Sequence, residues 1–306
     1  MNICIQSGDI PDRYGLREGY RKIREAGFDC IDWNLDHAAP SDQIKALRYE
    51  GNCIFEKELD EIADFYEPEL SAIRENGLSI SQAHAVFPAY VEGHPEVLDW
   101  TVGVYKKSIA FMSLIGVKNL VVHGISLAGE RTPKETEALN MKLYESLVPA
   151  LKDNDVTVCL ENLFTGKPFF YKEGVCSDPH EAVRMIDHLN ALAGRRAFGL
   201  CLDTGHLNLL DKDIRAYAPI LGERIRCFHI HDNRGNEDSH LAPLTGTVNW
   251  TYFVDTLREI GYKGDLSFET FMQDRAAAEF DEELVMPWLR LIAAEGRCFR
   301  KRILNG

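Results

Sequence analysis

Ionisable side chains follow six short, mostly apolar segments that succeed one another along the chain. These side chains are His84, His123, Glu161, Asp203, His229 and Glu269. Taken singly, a histidine in such a place is more often structural, and a carboxylate is often the N-cap of the next helix. Taken together at one site, three carboxylates and three imidazoles would be strained unless a cation offset the burial of their charges. The set therefore predicts a metal site, provided that the fold gathers the six segments.

The elements that must position these side chains alternate between β-rich and amphipathic segments along the whole chain. The predicted strands are 2–6, 28–33, 78–83, 117–122, 155–161, 197–203, 224–230 and 264–269. The predicted helices are 16–26, 56–76, 95–115, 133–153, 179–193, 211–221, 249–260 and 281–301. Near-continuous apolar strands are typical of parallel strands that are buried on both faces. Eight of them alternating with eight helices favour an α/β fold with a single (β/α)8 TIM barrel over residues 1–306.

The alternative to a closed barrel is an open, doubly wound sheet, which shows a similar alternation. No Gly-x-Gly-x-x-Gly motif follows the first predicted strand, so a dinucleotide-binding fold has little support. In a barrel the carboxyl ends of all strands converge on one face. The barrel therefore brings the six ionisable side chains to one mouth.

Composition and charge exclude several other classes of protein. Of the 306 residues, 45% are hydrophobic and 27% are charged, as in an ordinary soluble globular protein. No stretch approaches about 18 consecutive apolar residues, and the amino terminus lacks the regions of a signal peptide, so we expect a cytoplasmic protein without membrane association. The net charge of −14 disfavours nucleic acid as a partner.

The eight cysteines are scattered, and no Cys-x-x-Cys pair is present. A thiolate zinc site or a thioredoxin-type motif is therefore not expected. Cys4, Cys159, Cys201 and Cys227 lie within apolar strand-like segments. We interpret them as small buried hydrophobic residues in a reducing compartment.

Four motifs at the strand ends resemble the xylose-isomerase-like barrel superfamily, which holds sugar isomerases, sugar epimerases and endonuclease IV. The motifs are Leu160-Glu161-Asn162, Leu202-Asp203-Thr204-Gly205-His206, His229-Ile230-His231-Asp232-Asn233 and Ser267-Phe268-Glu269-Thr270. For the sugar-isomerising members, the resemblance implies one divalent metal ion held by Glu161, Asp203, His229 and Glu269. Such an oxygen-rich set with one imidazole suits Mn²⁺, Mg²⁺ or Co²⁺ and is compatible with Zn²⁺.

The resemblance to ketose 3-epimerases also implies that Glu161 and Glu269 are the acid and base and that His206 contacts the substrate. Isomerising or epimerising a ketose removes a proton next to a carbonyl, which requires a base beside the carbon and a cation on the oxygens. Two carboxylates from opposite walls of a barrel can address opposite faces of one carbon. The expected substrate is a sugar or a sugar-like ketone.

Six further residues are expected to bind this substrate. They are His84, His123, His231, Arg234, Asp238 and His240. Arg234 is included because some ketose epimerases have an arginine six positions after the metal-binding histidine, where this chain has Gly235. The resemblance further implies a homo-oligomer, and the apolar segment 168–171 is a candidate lid or subunit contact.

The main alternative within the same superfamily is an endonuclease IV-like enzyme that cleaves abasic DNA with three zinc ions. All nine of its ligands have matching positions here: His84, His123, Glu161, Asp203, His206, His229, Asp238, His240 and Glu269. The His-Pro-Gly and Asp-Arg-His motifs of that family read His123-Gly124-Ile125 and Asp238-Ser239-His240, however, and the acidic charge opposes DNA binding. Dehydratases of inositol ketones and lyases of oxidised sugars or C-glycosides share the enolate-type step and also remain open. A non-catalytic binding module is disfavoured because no metal-binding carboxylate is missing.

Overall fold

The computed structural model describes residues 1–126 and 132–305. Its strands are β1 (Ile3–Gln6), β2 (Cys30–Asn34), β3 (Ser79–His84), β4 (Asn119–Val121), β5 (Thr157–Glu161), β6 (Phe164–Lys167), β7 (Phe170–Glu173), β8 (Phe198–Asp203), β9 (Ile225–His229) and β10 (Leu266–Phe268). Eight of these strands form one parallel sheet in the order β10-β1-β2-β3-β4-β5-β8-β9.

The sheet closes on itself just beyond the ends of β9 and β10. Ile230 N donates to Ser267 O at 2.8 Å, and Glu269 N donates to Ile230 O at 3.0 Å. These two bonds join the last strands of the sheet order. The prediction of a (β/α)8 barrel is therefore confirmed.

Helices cover the outside of the barrel. They are α1 (Asp9–Tyr14), α2 (Leu16–Ala26), α3 (Ser41–Lys45), α4 (Leu59–Glu75), α5 (Pro95–Ile115), α6 (Pro133–Glu145), α7 (Val148–Asp153), α8 (Pro179–Ala193), α9 (Thr204–Leu209), α10 (Ile214–Leu221), α11 (Trp250–Glu259), α12 (Phe271–Phe280) and α13 (Val285–Asn305). The helix predicted over 133–153 divides into α6 and α7 because Pro149 cannot continue the first helix. None of the helices in the described ranges has the length and apolarity that a membrane span requires.

A layer of small side chains fills the barrel beneath its mouth. Val121, Cys159, Cys201 and Cys227 form this buried cluster. Each cysteine lies two residues before an ionisable residue of the mouth. Because side chains two positions apart on a strand share a face, the cysteine and the ionisable residue both point into the barrel. The prediction that these three cysteines are buried hydrophobic residues is confirmed.

Cys4 differs from that prediction, because it forms a disulfide with Cys30. The two residues are direct partners on the adjacent strands β1 and β2. Both are fully buried. The sequence shows no such pairing, since 26 positions separate the two cysteines and only the strand register brings them together.

A two-stranded hairpin of β6 and β7 replaces a simple loop after β5. Its antiparallel register pairs Phe164 with Glu173 and Lys167 with Phe170. The tip residues Phe169 and Phe170 are 72% and 69% exposed. The apolar segment predicted here is thus a protruding hairpin.

Candidate active site

The floor of the barrel mouth is formed by the ends of β5, β8, β9 and β10. Glu161, Asp203, His229 and Glu269 are all buried there. His229 Nδ1 lies 3.3 Å from Glu161 Oε1 and 3.5 Å from Glu269 Oε2. Donor atoms of Glu161, Asp203 and His229 lie within 4.8 Å of one another. The four side chains of the predicted metal set are therefore neighbours at one point.

The donor atoms of this floor fit a divalent cation. Glu161 Oε2 and His229 Nδ1 are buried and make no well-aligned hydrogen bond within the described ranges, although His123 Nε2 lies 2.8 Å from the glutamate oxygen. Leaving such groups unpaired is expensive, and a cation between them would use their free lone pairs. Three carboxylates with one imidazole suit a hard or borderline divalent ion.

Asp203 is held rigidly by the start of α9 and by a neighbouring amide. Its Oδ1 accepts a hydrogen bond from His206 N at 2.7 Å, which makes it the N-cap of α9. The side chain of Asn162 accepts from Asp203 N at 2.8 Å and donates to Asp203 O at 3.0 Å. Asp203 therefore caps α9, as a carboxylate at the end of a strand often caps the next helix, and it also belongs to the predicted metal set.

Asp32 lies behind His229, and sequence analysis did not identify it. Its Oδ2 is 3.1 Å from His229 Nε2 and accepts from Gln82 Nε2 at 2.7 Å. Asp32 is fully buried inside the barrel. A carboxylate on the far nitrogen of a metal-binding imidazole fixes the tautomer and leaves the other nitrogen free for the ion. The available sequence signal was an aspartate between the apolar residues Ile31 and Trp33 of β2.

We expect Asp32→Asn to lower the affinity for a divalent metal by about 10- to 100-fold, because the amide holds the His229 ring less firmly. Isothermal titration of the metal-free protein with Mn²⁺ would measure this. Asp29→Asn is the control, because Asp29 directly precedes β2, pairs with Arg300 and lies away from the mouth. Unchanged affinity in Asp32→Asn would show that Asp32 does not support the metal site.

Two further histidines extend the cluster along one wall. His84 Nε2 lies 3.0 Å from His123 Nε2, and His123 Nε2 lies 2.8 Å from Glu161 Oε2. Burial and the neighbouring His123 and His229 hold the pKa of His84 well below its usual value. His84 is therefore a neutral imidazole with a lone pair for a ligand or a metal ion.

A third group of ionisable residues lies on the opposite wall. Asp238 Oδ2 is 3.6 Å from His206 Nε2 and 3.2 Å from His240 Nε2. Burial would lower the pKa of His240, but Glu269 and Asp238 outweigh it and raise this pKa to about 9. Burial would likewise lower the pKa of His206, which Asp203 and Asp238 raise well above its usual value. This wall therefore presents two protonated imidazoles around one carboxylate.

The two glutamates of the floor have opposite electrostatic environments. Burial opposes the ionisation of Glu161, but the facing His123 and His229 outweigh it and hold its pKa well below the usual value. Burial raises the pKa of Glu269, and His229 and His240 offset this only in part. Neighbouring carboxyl groups whose pKa values are pushed apart are typical of acid and base partners.

Above this floor opens a cavity of about 610 Å³. Seven of the predicted site residues line it: His84, His123, Glu161, His206, Asp238, His240 and Glu269. Gln6, Asn34 and Tyr90 add hydrogen-bonding groups to the wall, and Phe87 adds an aromatic face. The only Lys or Arg side chain among the described lining residues is Arg275, which binds the Asp9 carboxylate through two bonds of 2.7 Å.

Two predicted substrate-binding residues lie elsewhere. His231 is fully buried behind the floor, where its Nε2 lies 3.0 Å from Asp203 Oδ2. Its ring occupies the space beside Gly205, where an added Cβ would lie 2.0 Å from the imidazole. Arg234 is exposed on the loop after β9. The prediction that His231 and Arg234 contact the substrate is therefore corrected. His231 supports Asp203 from behind the floor, and Arg234 lies outside the cavity wall.

The fold and the mouth define a class of protein: a (β/α)8 barrel with a carboxylate and imidazole cluster that can hold a metal ion at the carboxyl ends of its strands. The chain belongs to the xylose isomerase-like TIM barrel family, whose model matches residues 20–292.

Relatives of this chain include sugar epimerases. A ketose 3-epimerase from Arthrobacter globiformis is 24% identical over 285 residues, which cover 89% of this chain and 83% of the relative. The crystal structure of D-psicose 3-epimerase with D-tagatose from Clostridium cellulolyticum has a TM-score of 0.69 at 14% identity and covers 98% of this chain and 99% of that one. The IolI protein, solved with a zinc atom, has a TM-score of 0.66 at 18% identity and covers 99% and 98%.

Proposed function

We propose that this chain is a metal-dependent isomerase or epimerase that moves a proton next to the carbonyl of a ketose or a sugar-like ketone. The observation that carries the proposal is the pair Glu161 and Glu269, whose carboxylates approach His229 Nδ1 at 3.3 and 3.5 Å from different strands. Both glutamates line the cavity above the floor. The kinship with ketose 3-epimerases supports the substrate class.

The residues of the mouth divide the chemistry among them. One of the glutamates takes the proton from the carbon beside the carbonyl, which gives an enediolate, and the other returns a proton to the opposite face. Glu161, Asp203, His229 and Glu269 would hold a divalent cation, which supplies the positive charge that polarises the carbonyl. His206, which lines the cavity, hydrogen-bonds a substrate oxygen through its Nε2, because its Nδ1 already lies 2.9 Å from the backbone oxygen of Asn162.

The donor set limits the choice of metal. Three carboxylates and one imidazole favour Mn²⁺, Mg²⁺ or Co²⁺, and Zn²⁺ is compatible with them. IolI, a structural neighbour, was solved with zinc. Elemental analysis of protein purified without chelator would identify the ion and its number per chain.

The reaction is tested by solvent hydrogen exchange. Free ketoses are incubated in D₂O with the Mn²⁺-loaded protein and followed by proton NMR. Epimerisation through an enediolate replaces the hydrogen next to the carbonyl with deuterium as the second sugar appears. If the second sugar formed without deuterium in both single and multiple turnovers, the transferred proton would not exchange with solvent. That result would contradict proton transfer by the two glutamates.

A three-metal phosphodiesterase is the second candidate, because the mouth holds several adjacent groups of possible metal ligands. His84, His123 and Glu161 form one group, and His231, His240 and Glu269 form another. About three zinc ions per chain, with cleavage of an abasic DNA duplex, would favour this candidate. About one metal per chain, with exchange on a ketose, would favour the epimerase.

Two expectations from the sequence remain, and only the second of them rests on the family resemblance. We propose that the chain acts in the cytoplasm and that it assembles into a homo-oligomer. The exposed tip of the β6–β7 hairpin is the surface available for a subunit contact. Light scattering at several protein concentrations would measure the oligomeric state.

A further inference from the structure

A second cluster of metal-binding side chains lies at the opposite end of the barrel from the mouth. The sulfur atoms of Cys4 and Cys30 and a carboxylate oxygen of Asp265 all lie within 4.8 Å of one another. Both cysteines are fully buried, and the Asp265 side chain is 22% exposed. The three residues take no part in the active site described above.

Strand register assembles this cluster. Cys4 on β1 is the direct partner of Cys30 on β2 on one side and of Ser267 on β10 on the other. Asp265 precedes β10 by one residue. Two neighbouring strands and the residue that precedes a third therefore each contribute one side chain to the amino-terminal end of the barrel.

Polar groups hold the carboxylate of Asp265 in place. Its Oδ2 accepts a hydrogen bond from Ser81 Oγ at 2.8 Å, and its Oδ1 accepts one from Asn2 N at 2.6 Å. The α-amino group of Met1 lies 3.9 Å from Oδ1. A carboxylate that is oriented in this way loses little further freedom when it binds an ion.

A cavity of about 480 Å³ at the amino-terminal face of the barrel reaches Asp265, the one residue of the cluster among its described lining residues. Asp265, Ser81, Asn119 and Tyr262 are among its lining residues. The side-chain oxygen of Asn119 is buried without a hydrogen-bond partner in the described ranges. An ion can therefore reach Asp265 without passing through the active site.

We propose that Cys4, Cys30 and Asp265 form a second, redox-gated metal site that binds Zn²⁺ or a similar thiophilic cation. Zn²⁺ prefers thiolate, imidazole and carboxylate donors in tetrahedral geometry. Two thiolates and one carboxylate provide three ligands, and the cavity side provides a fourth position for water. The active site has no sulfur ligand, so the two sites prefer different metals.

The state of the cysteine pair decides whether the site is available. In the structure the two sulfurs form a disulfide, and a disulfide has no thiolate to offer. A dithiol reductant transfers two electrons and two protons to the bond, becomes a disulfide itself and leaves two thiols. Zn²⁺ then displaces the two thiol protons and forms two metal–sulfur bonds.

The test uses Cd²⁺ as the probe, because bonds between cadmium and thiolate give an ultraviolet charge-transfer band that carboxylates and imidazoles do not give. The full-length protein is loaded with Mn²⁺ and titrated with Cd²⁺ in its oxidised state and after reduction. We expect the band to appear only after reduction and to saturate at one Cd²⁺ per chain. A band of equal strength in the oxidised protein, or none after reduction, would overturn the proposal.

Variants locate the band. Cys4→Ala/Cys30→Ala should abolish it, and Asp265→Asn should weaken Cd²⁺ binding by about tenfold or more. The matched control is Cys201→Ala/Cys227→Ala, because these cysteines are also direct partners on adjacent strands. If the band persisted in Cys4→Ala/Cys30→Ala and disappeared in Cys201→Ala/Cys227→Ala, the proposal would have named the wrong pair of cysteines. The comparison of oxidised and reduced wild-type protein decides the proposal even where a double variant fails to fold.

Discussion

Replacing either Glu161 or Glu269 with glutamine is expected to lower ketose turnover by about 10²- to 10⁴-fold. Each substitution removes one proton carrier while keeping the size of a buried side chain that contacts His229. The rates and the metal content of each variant are measured together, because glutamine is also a weaker metal ligand. Circular dichroism would check that the barrel survives.

Partial reactions sharpen this experiment. Each variant keeps one working glutamate, so it should exchange the hydrogen of one epimer with D₂O and fail to invert that carbon. The control is Glu295→Gln, since Glu295 is a buried glutamate on α13 whose pKa burial raises to about 7. Inversion that continues at the wild-type rate in either active-site variant, with metal still bound, would refute the two-glutamate mechanism.

Removing the metal is expected to abolish turnover and to lower the midpoint of thermal unfolding. Without a cation, the buried carboxylates of Glu161, Asp203 and Glu269 lie close together, and neighbouring histidines offset their charges only in part. A cation that binds only the folded chain adds about 2.7 kcal/mol of stability at 100 times its dissociation constant. Calorimetry with and without chelator measures this difference.

The controls for this measurement are a chelator already saturated with metal and the restoration of activity by added Mn²⁺. Full activity and an unchanged unfolding midpoint in protein shown by elemental analysis to be free of metal would contradict a metal-dependent reaction. Loss of the midpoint shift in Asp203→Asn would connect the stabilisation to this cluster. Asp203 is the suitable position because its carboxylate contacts both His206 and His231.

The alternation of apolar strands and amphipathic helices was sufficient to predict the barrel, because eight buried parallel strands leave a regular pattern in the sequence. The same pattern located Glu161, Asp203 and Glu269, since each closes such a predicted strand. Asp32 was missed because it lies within its strand, and only the closed barrel shows that it faces His229. Polar residues inside a strand become informative once the opposite strand is known.

Other errors have the same physical origin, which is that contacts between distant strands depend on register and strand ends. His229 and His231 are two positions apart, so a continuing strand would point both side chains to the same side. Because β9 ends at His229, His231 instead lies behind Asp203 and away from the cavity. Cys4 and Cys30 become partners only when β1 and β2 are aligned. The short helix α9 was not predicted because six residues give too weak a periodic signal.

The three thiols beneath the mouth make the integrity of the active site measurable by chemical labelling. Cys159, Cys201 and Cys227 lie on the same strands as Glu161, Asp203 and His229, and all three are buried while those strands are joined. Any opening that admits a maleimide there also separates the metal ligands. Cys298, which is exposed, reacts first and serves as the internal reference. The labelling rate of the buried thiols thus reports how often the barrel comes apart, and a bound cation slows it in proportion to its occupancy.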